Sequence, residues 1–191
     1  MRRVTALLLL LCLSACVNVP QAQPALPRLQ LAPSAFGSNV SLAQRLTLEK
    51  VSDQARLPRG GMPRSLDAQL EIDTETVQLA GFALGQRILT LSWNGNALTS
   101  QRHPLLPAEV EAETILRDVQ LVYWPASSLN AALPAGWRVV DAARQRSLQF
   151  EGRPLLTITY QAEPRWAGRA ELDNLLEGYR LTIDSTPQTG Q

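Results

Sequence analysis

The stretch Arg87-Ile88-Leu89-Thr90-Leu91-Ser92-Trp93-Asn94-Gly95-Asn96-Ala97-Leu98-Thr99-Ser100-Gln101-Arg102 decides the fold class. Leu89, Leu91 and Trp93 alternate with Thr90 and Ser92, the period of two that gives a strand one buried face. Asn94-Gly95 is the pair favoured in a type I′ turn, whose central residues both need positive φ. The chain then returns from Ala97 to Arg102, so an antiparallel hairpin is expected here.

The same alternation extends in both directions. Upstream, Leu42, Leu46 and Leu48 share one face and Ser41, Ala43, Arg45, Thr47 and Glu49 the other, followed by Ala68, Leu70 and Ile72 and then Val77 and Leu79. Downstream come Trp137 and Val139, Leu148 and Phe150, then Leu156, Ile158 and Tyr160, and finally Tyr179, Leu181 and Ile183. Glu151-Gly152 marks another tight return. One segment departs from the pattern: between 108 and 123, Ala112, Ile115, Leu116, Val119 and Val122 recur at helical spacing. Pro107 starts that segment, and Glu109, Glu111 and Glu113 lie near the positive end of the helix dipole. A shorter helix is expected from Pro125 to Leu133, with Ser127 and Ser128 in its first turn and Pro134 and Gly136 to stop it. The prediction is a mainly β, α+β fold in which one strongly curved antiparallel sheet is interrupted midway by helices that close its open mouth.

The amino terminus has a separate logic. Arg2 and Arg3 precede an apolar run from Val4 to Leu13, about half of what a helix needs to cross a bilayer. Leu13-Ser14-Ala15-Cys16 follows and resembles a bacterial lipobox. That resemblance implies cleavage of residues 1–15 and acylation of Cys16, with Val17 rather than an aspartate behind it implying the outer membrane. Each buried methylene of an acyl chain contributes about 0.8 kcal/mol, so several chains hold a protein permanently. Residues 16–37, with Pro20, Pro24, Pro27 and Pro33, read as a lipidated tether with a reach of about 60 Å. Residues 38–184 form the expected single domain, and residues 185–191 a disordered tail.

Composition excludes several classes. The 18 basic and 17 acidic side chains nearly cancel, which gives no electrostatic case for nucleic acid. Cys12 leaves with the leader and Cys16 is acylated, so no thiol is left for a disulfide or a nucleophile. His103 is the only histidine, no G-x-S-x-G elbow is present, and no Gly-rich phosphate loop occurs. Glu109, Glu111 and Glu113 point in different directions on a helix and are explained by its dipole. No catalytic residue, metal site or cofactor is expected, and the chain does not read as an enzyme.

The order of lipidated cysteine, tether, strands, mid-chain helices and returning strands resembles LolB, the outer-membrane lipoprotein receptor, and its soluble partner LolA. The local match is best from Gln69 to Pro134. The resemblance implies an unclosed β-barrel with a helical lid over an apolar cavity that receives acyl chains. In such a fold Leu70, Leu91, Trp93, Leu116, Val119, Trp124 and Trp137 would line the cavity, although plain core packing explains the tryptophans equally well. Trp166, among Pro164, Arg165 and Gly168, reads as a loop residue packed on the surface. Asp118 to Pro125, Gly152, Ile158 to Tyr160 and Gly178 to Ile183 are also similar to a family of small uncharacterised lipoproteins associated with aryl polyene pigment clusters. The loop around Gly60, Gly61 and Met62 has no counterpart in it.

Val77-Gln78-Leu79-Ala80-Gly81-Phe82-Ala83-Leu84-Gly85-Gln86-Arg87-Ile88-Leu89 places Phe82 and Leu84 in a short connection, where polar residues are usual. They either fold back onto the core or project. The LolB resemblance, in which a leucine protrudes from the matching turn, implies a membrane-contact loop. The expected function is an outer-membrane lipoprotein, facing the periplasm and acting as a monomer. It would bind and transfer a lipophilic cargo, an acyl or aryl-polyene lipid or lipoprotein acyl chains, received from a periplasmic LolA-like carrier. The alternative is a non-catalytic assembly lipoprotein that binds another envelope protein.

Overall fold

The computed structural model describes residues 24–51, 65–104, 106 and 110–188. Its strands are β1 (Val40–Lys50), β2 (Ser65–Ile72), β3 (Val77–Ala83), β4 (Gln86–Trp93), β5 (Leu98–Arg102), β6 (Trp137–Ala142), β7 (Gln145–Phe150), β8 (Arg153–Tyr160), β9 (Gly168–Asn174) and β10 (Tyr179–Pro187). All ten belong to one antiparallel sheet in the order β5-β4-β3-β2-β1-β10-β9-β8-β7-β6. The first and last strands meet in the middle, and β5 and β6 are free edges, so the sheet curves without closing. The α+β half-barrel expected from the alternation is the fold observed.

Register explains why the alternation worked. Leu42 stands opposite Leu70, Leu70 opposite Leu79 and Leu79 opposite Leu91, which makes one row of buried leucines across four strands. On the other side of the centre, Leu48, Leu181, Leu172 and Ile158 continue a parallel row that ends on Arg146. A slip of one residue would turn each row to solvent, so the pattern fixes the pairing.

Helix α1 (Ala112–Tyr123) lies across the concave face, burying Leu116, Leu121, Val122 and Tyr123, and α2 (Ala126–Ala132) buries Leu129. Trp124 is extended (φ −66°, ψ 148°) because Pro125 follows it and a residue before proline avoids the helical region. α1 begins at Ala112 rather than 108; Val110 and Glu111 are not helical, and Pro107 and Glu109 fall outside the described residues.

Several expectations are corrected. The hairpin at Asn94 exists, but Trp93 pairs with Leu98, so its loop is 94–97 and not a two-residue type I′ turn. The Asn94 carboxamide oxygen accepts from the N–H groups of Asn96 and Ala97 (3.0 and 2.8 Å), a local bond that competes with the tighter turn. Two-residue connections with both central φ positive occur instead at Leu84-Gly85 (51° and 75°) and Glu151-Gly152 (49° and 79°). β9 was not anticipated. Residues 185–187 are not a free tail but the end of β10, with Ser185 buried.

The largest correction concerns the tether. Residues 24–37 are no free spacer: Leu29, Leu31, Pro33 and Phe36 are buried, and Pro33–Phe36 form a 3₁₀ turn ended by Gly37 at φ 83°. Cys16 and the loop around Gly60, Gly61 and Met62 lie outside the described residues.

Candidate functional site

Hairpin connections alternate between the two ends of the half-barrel. One end carries the turns β3–β4, β7–β8 and β9–β10 together with the end of β1; the other carries β2–β3, β4–β5, β6–β7 and β8–β9. This division separates the two groups of candidate residues.

At the first end stand the exposed large apolar side chains of the described residues: Leu84 at 96 %, Leu175 at 63 % and Val51 at 51 % exposure. Leu84 occupies the first central position of its turn at φ 51°, where Asn, Asp or Gly is usual and a leucine is strained. Sheet formation gains nothing from this side chain. Leu175 follows Asn174 at the end of β9, and Val51 follows β1, its N–H bonded to Gly178 O at 2.8 Å. The projecting alternative for Leu84 is the one observed. Phe82, predicted in the same loop, lies within β3 on the outer face opposite Asp67 and Arg87 and is half-buried. A register shift at Gly81/Phe82 lets the strand run on to Ala83, so only Leu84 and Gly85 remain in the turn.

The predicted cavity residues gather inside. Leu70, Leu91, Trp93, Leu116 and Trp124 are buried in one cluster, with Val119 and Trp137 half-buried against it. Trp137 stands apart from the other two tryptophans, its ring 5.1 Å from Phe150, its cross-strand partner. Trp93 and Trp124 do not face empty space. Trp93 Nε1–H donates to Leu31 O (2.8 Å), and Trp124 Nε1–H donates to Ala32 O (3.3 Å). Gln120 grips both backbone groups of Leu31, its Nε2 donating to the carbonyl (3.0 Å) and its Oε1 accepting from the N–H (3.1 Å). Phe36 stacks 5.2 Å from Trp124 and 5.5 Å edge-on from Trp166. Residues 29–36 therefore form a strap across the second end of the half-barrel. Sequence reading missed it, although Leu29 and Leu31 already show the alternation that marked the strands.

α1 is fixed to the sheet by buried polar groups. In its middle, Arg117 pairs with Asp118 (2.9 Å) and makes a two-pronged bond to Glu177 (2.9 and 2.7 Å), while the Tyr179 hydroxyl donates to Asp118. Burial raises the pKa of Asp118, with Arg117 and Tyr179 working against it; burial and Asp118 together raise Tyr179. At its far end, Arg146 Nη1 donates to Leu121 O (2.6 Å) and Trp124 O (2.8 Å), and its other nitrogens pair with Asp141. Those carbonyls are the groups a helix end leaves unpaired. Tyr160 donates to Val122 O at 2.7 Å, and burial pushes its hydroxyl up to about 12. The hydroxyl of Tyr123, the last residue of α1, accepts from Gln44 Nε2 (2.7 Å).

Among the described residues no three metal-ligating side chains converge. His103 lies just beyond β5, with its N–H on Ile88 O. A shallow groove of about 430 Å³ on the outer face of β2–β5 is lined mainly by polar side chains such as Gln69, Gln78, Arg87 and Thr90, unlike the apolar interior expected of a cargo site. No helix is long and apolar enough to cross a membrane among the described residues.

The class defined by this fold is an unclosed antiparallel half-barrel with helices across its concave face. A family model described as a protein of unknown function, DUF3261, matches residues 50–187, and the chain belongs to that family. No curated protein matches the chain.

Proposed function

We propose that this protein is a lipid-anchored carrier of the outer membrane that shelters a lipophilic cargo inside the half-barrel and meets the receiving membrane with the rim bearing Leu84. The observation that carries this reading is the placement of Leu84, 96 % exposed at positive φ, at the same end as Leu175 and Val51. Burying these three in a bilayer would contribute roughly 3 to 5 kcal/mol, enough to orient a tethered domain and too little to hold it there. The cargo class is an acyl or aryl-polyene lipid or the acyl chains of another lipoprotein, handed over by a LolA-like periplasmic carrier. Cys16 supplies the anchor in this reading, and the lipobox resemblance with Val17 behind the cysteine supports an outer-membrane location facing the periplasm.

The experiment is transfer of a fluorescent acyl lipid from the protein to liposomes. Leu84→Glu should leave folding and cargo binding intact and lower the transfer rate at least tenfold. Unchanged transfer per folded molecule would remove Leu84 from the mechanism. A second reading, an assembly lipoprotein that binds another envelope protein, is favoured by the close packing of the strap against Trp93 and Trp124; it requires that no acyl probe bind saturably.

A further inference from the structure

The strap is held in an unusual way. No ladder bond joins residues 24–37 to any strand of the sheet, whose pairings begin at Val40 among the described residues. What holds it besides apolar contact is a set of side chains from elsewhere: Gln120 and Trp93 on Leu31, Trp124 on Ala32, and Ser128 Oγ on Ala35 O at 3.3 Å. Its own backbone bonds are internal, from Ala35 N to Ala32 O and from Gly37 N to Ser34 O. This is how a groove holds a peptide ligand, and the strap can leave without breaking a sheet pairing. α1 cannot leave so easily, because Arg117, Arg146, Tyr123 and Tyr160 tie it to the sheet through buried polar bonds. Of the two covers, the strap is the one whose departure breaks only apolar contacts and side-chain-to-backbone hydrogen bonds.

We infer that the bed beneath residues 29–36 is the cargo site, occupied in this structure by the chain's own segment, and that an apolar chain bearing a carbonyl or carboxylate group displaces it. The inference rests on the carrier reading and names where and how the cargo binds. The apolar part follows from the side chains displaced, Leu29, Leu31 and Phe36, which all sit in the core cluster. The polar part follows from what remains. Trp93 Nε1–H and Gln120 Nε2–H converge on one carbonyl oxygen and Trp124 Nε1–H on the next, so a departing strap leaves buried donors that need an acceptor. A plain hydrocarbon leaves them unpaired; an acyl ester or fatty acid supplies the oxygens beside its chain. The bed is about 20 Å long, counting extended and 3₁₀ residues, which suits one long acyl chain.

The test uses the full chain carrying Cys16→Ser, with palmitate and hexadecane as probes. Saturating palmitate should speed hydrogen exchange at the Leu31 and Ala35 amides, and hexadecane should bind at least tenfold more weakly. Phe36→Ala should tighten palmitate binding about tenfold by weakening the competing strap. Ser128→Ala, which loosens the strap without touching the core cluster, should tighten it severalfold and decides the matter if Phe36→Ala does not fold. Palmitate binding with unchanged exchange and unchanged affinity in these variants would make the strap a fixed part of the fold and overturn the inference, leaving the carrier reading with a site elsewhere. Absence of palmitate binding in every variant would overturn both.

Discussion

Leu84 sits where the backbone would prefer another residue. A non-glycine residue at φ 51° in the first position of a two-residue turn costs about 1 kcal/mol, and this side chain recovers none of it by packing. Leu84→Asn should therefore raise the melting temperature by roughly 2–4 °C while weakening attachment to liposomes. A lower melting temperature would mean that the leucine packs in solution. Arg146 is the opposite case, a charge held inside because it caps α1. Burial pushes its partner Asp141 up, but Arg146 and Arg165 outweigh that and hold the carboxyl below the usual carboxylate range. A carboxyl depressed by folding adds stability that is fully present above its unfolded value of about 4 and is lost as pH falls through the folded value. Asp141→Asn should thus melt earlier than the unsubstituted protein at pH 7, and the two should converge below about pH 4. A gap that stays constant down to pH 3 would contradict the pairing. The sequence offered no sign that Arg146 turns inward, because the carbonyls of Leu121 and Trp124 reach it only when α1 crosses the sheet, whereas Asp141 is already its cross-strand partner in the β6–β7 hairpin.

At the scale of elements, what could be read in the sequence was whatever repeats locally. Strands such as β2, with Ala68, Leu70 and Ile72 inward, carry their own pattern, and α1 and α2 are bracketed by prolines. β9 was not legible: its inward residues are only Ala170, Leu172 and Asn174, and its outward charges pair with strand β10 through Arg180 and Asp173 and through Arg169 and Asp184. The strap was misread for a physical reason. A proline-rich segment looks the same whether it hangs in water or lies in a groove, since extended conformations of this kind need no ladder bonds. Its partners Gln120 and Trp93 lie 89 and 62 residues away. A related device protects the free edge at β6, where the Asn130 carboxamide bonds both the N–H (2.8 Å) and the carbonyl (2.9 Å) of Val139. Asn130→Leu should cost about 1–2 kcal/mol and open that edge to pairing with another chain, visible as concentration-dependent association in sedimentation. A monomer of unchanged stability would show that the edge is covered in another way.

For the whole molecule, the fold separates two tasks. One end presents Leu84, Leu175 and Val51 to the surroundings; the other is closed by the strap over Trp93 and Trp124. A lipid anchor at Cys16 would join the strap to the membrane through residues 17–28, so the element that covers the interior would also carry the tether. The candidate site was legible in part: the inward residues Leu70, Leu91 and Trp93 follow from alternation, whereas the occupant of the space they face is fixed by contacts across the fold. The most direct measurement of the central claim is native mass spectrometry of the full-length protein isolated gently from cells, followed by organic extraction. A carrier predicts an additional lipid mass, non-covalent and extractable, on a fraction of the folded chains. A single species with no extractable lipid, unable to take up palmitate on incubation, would contradict it.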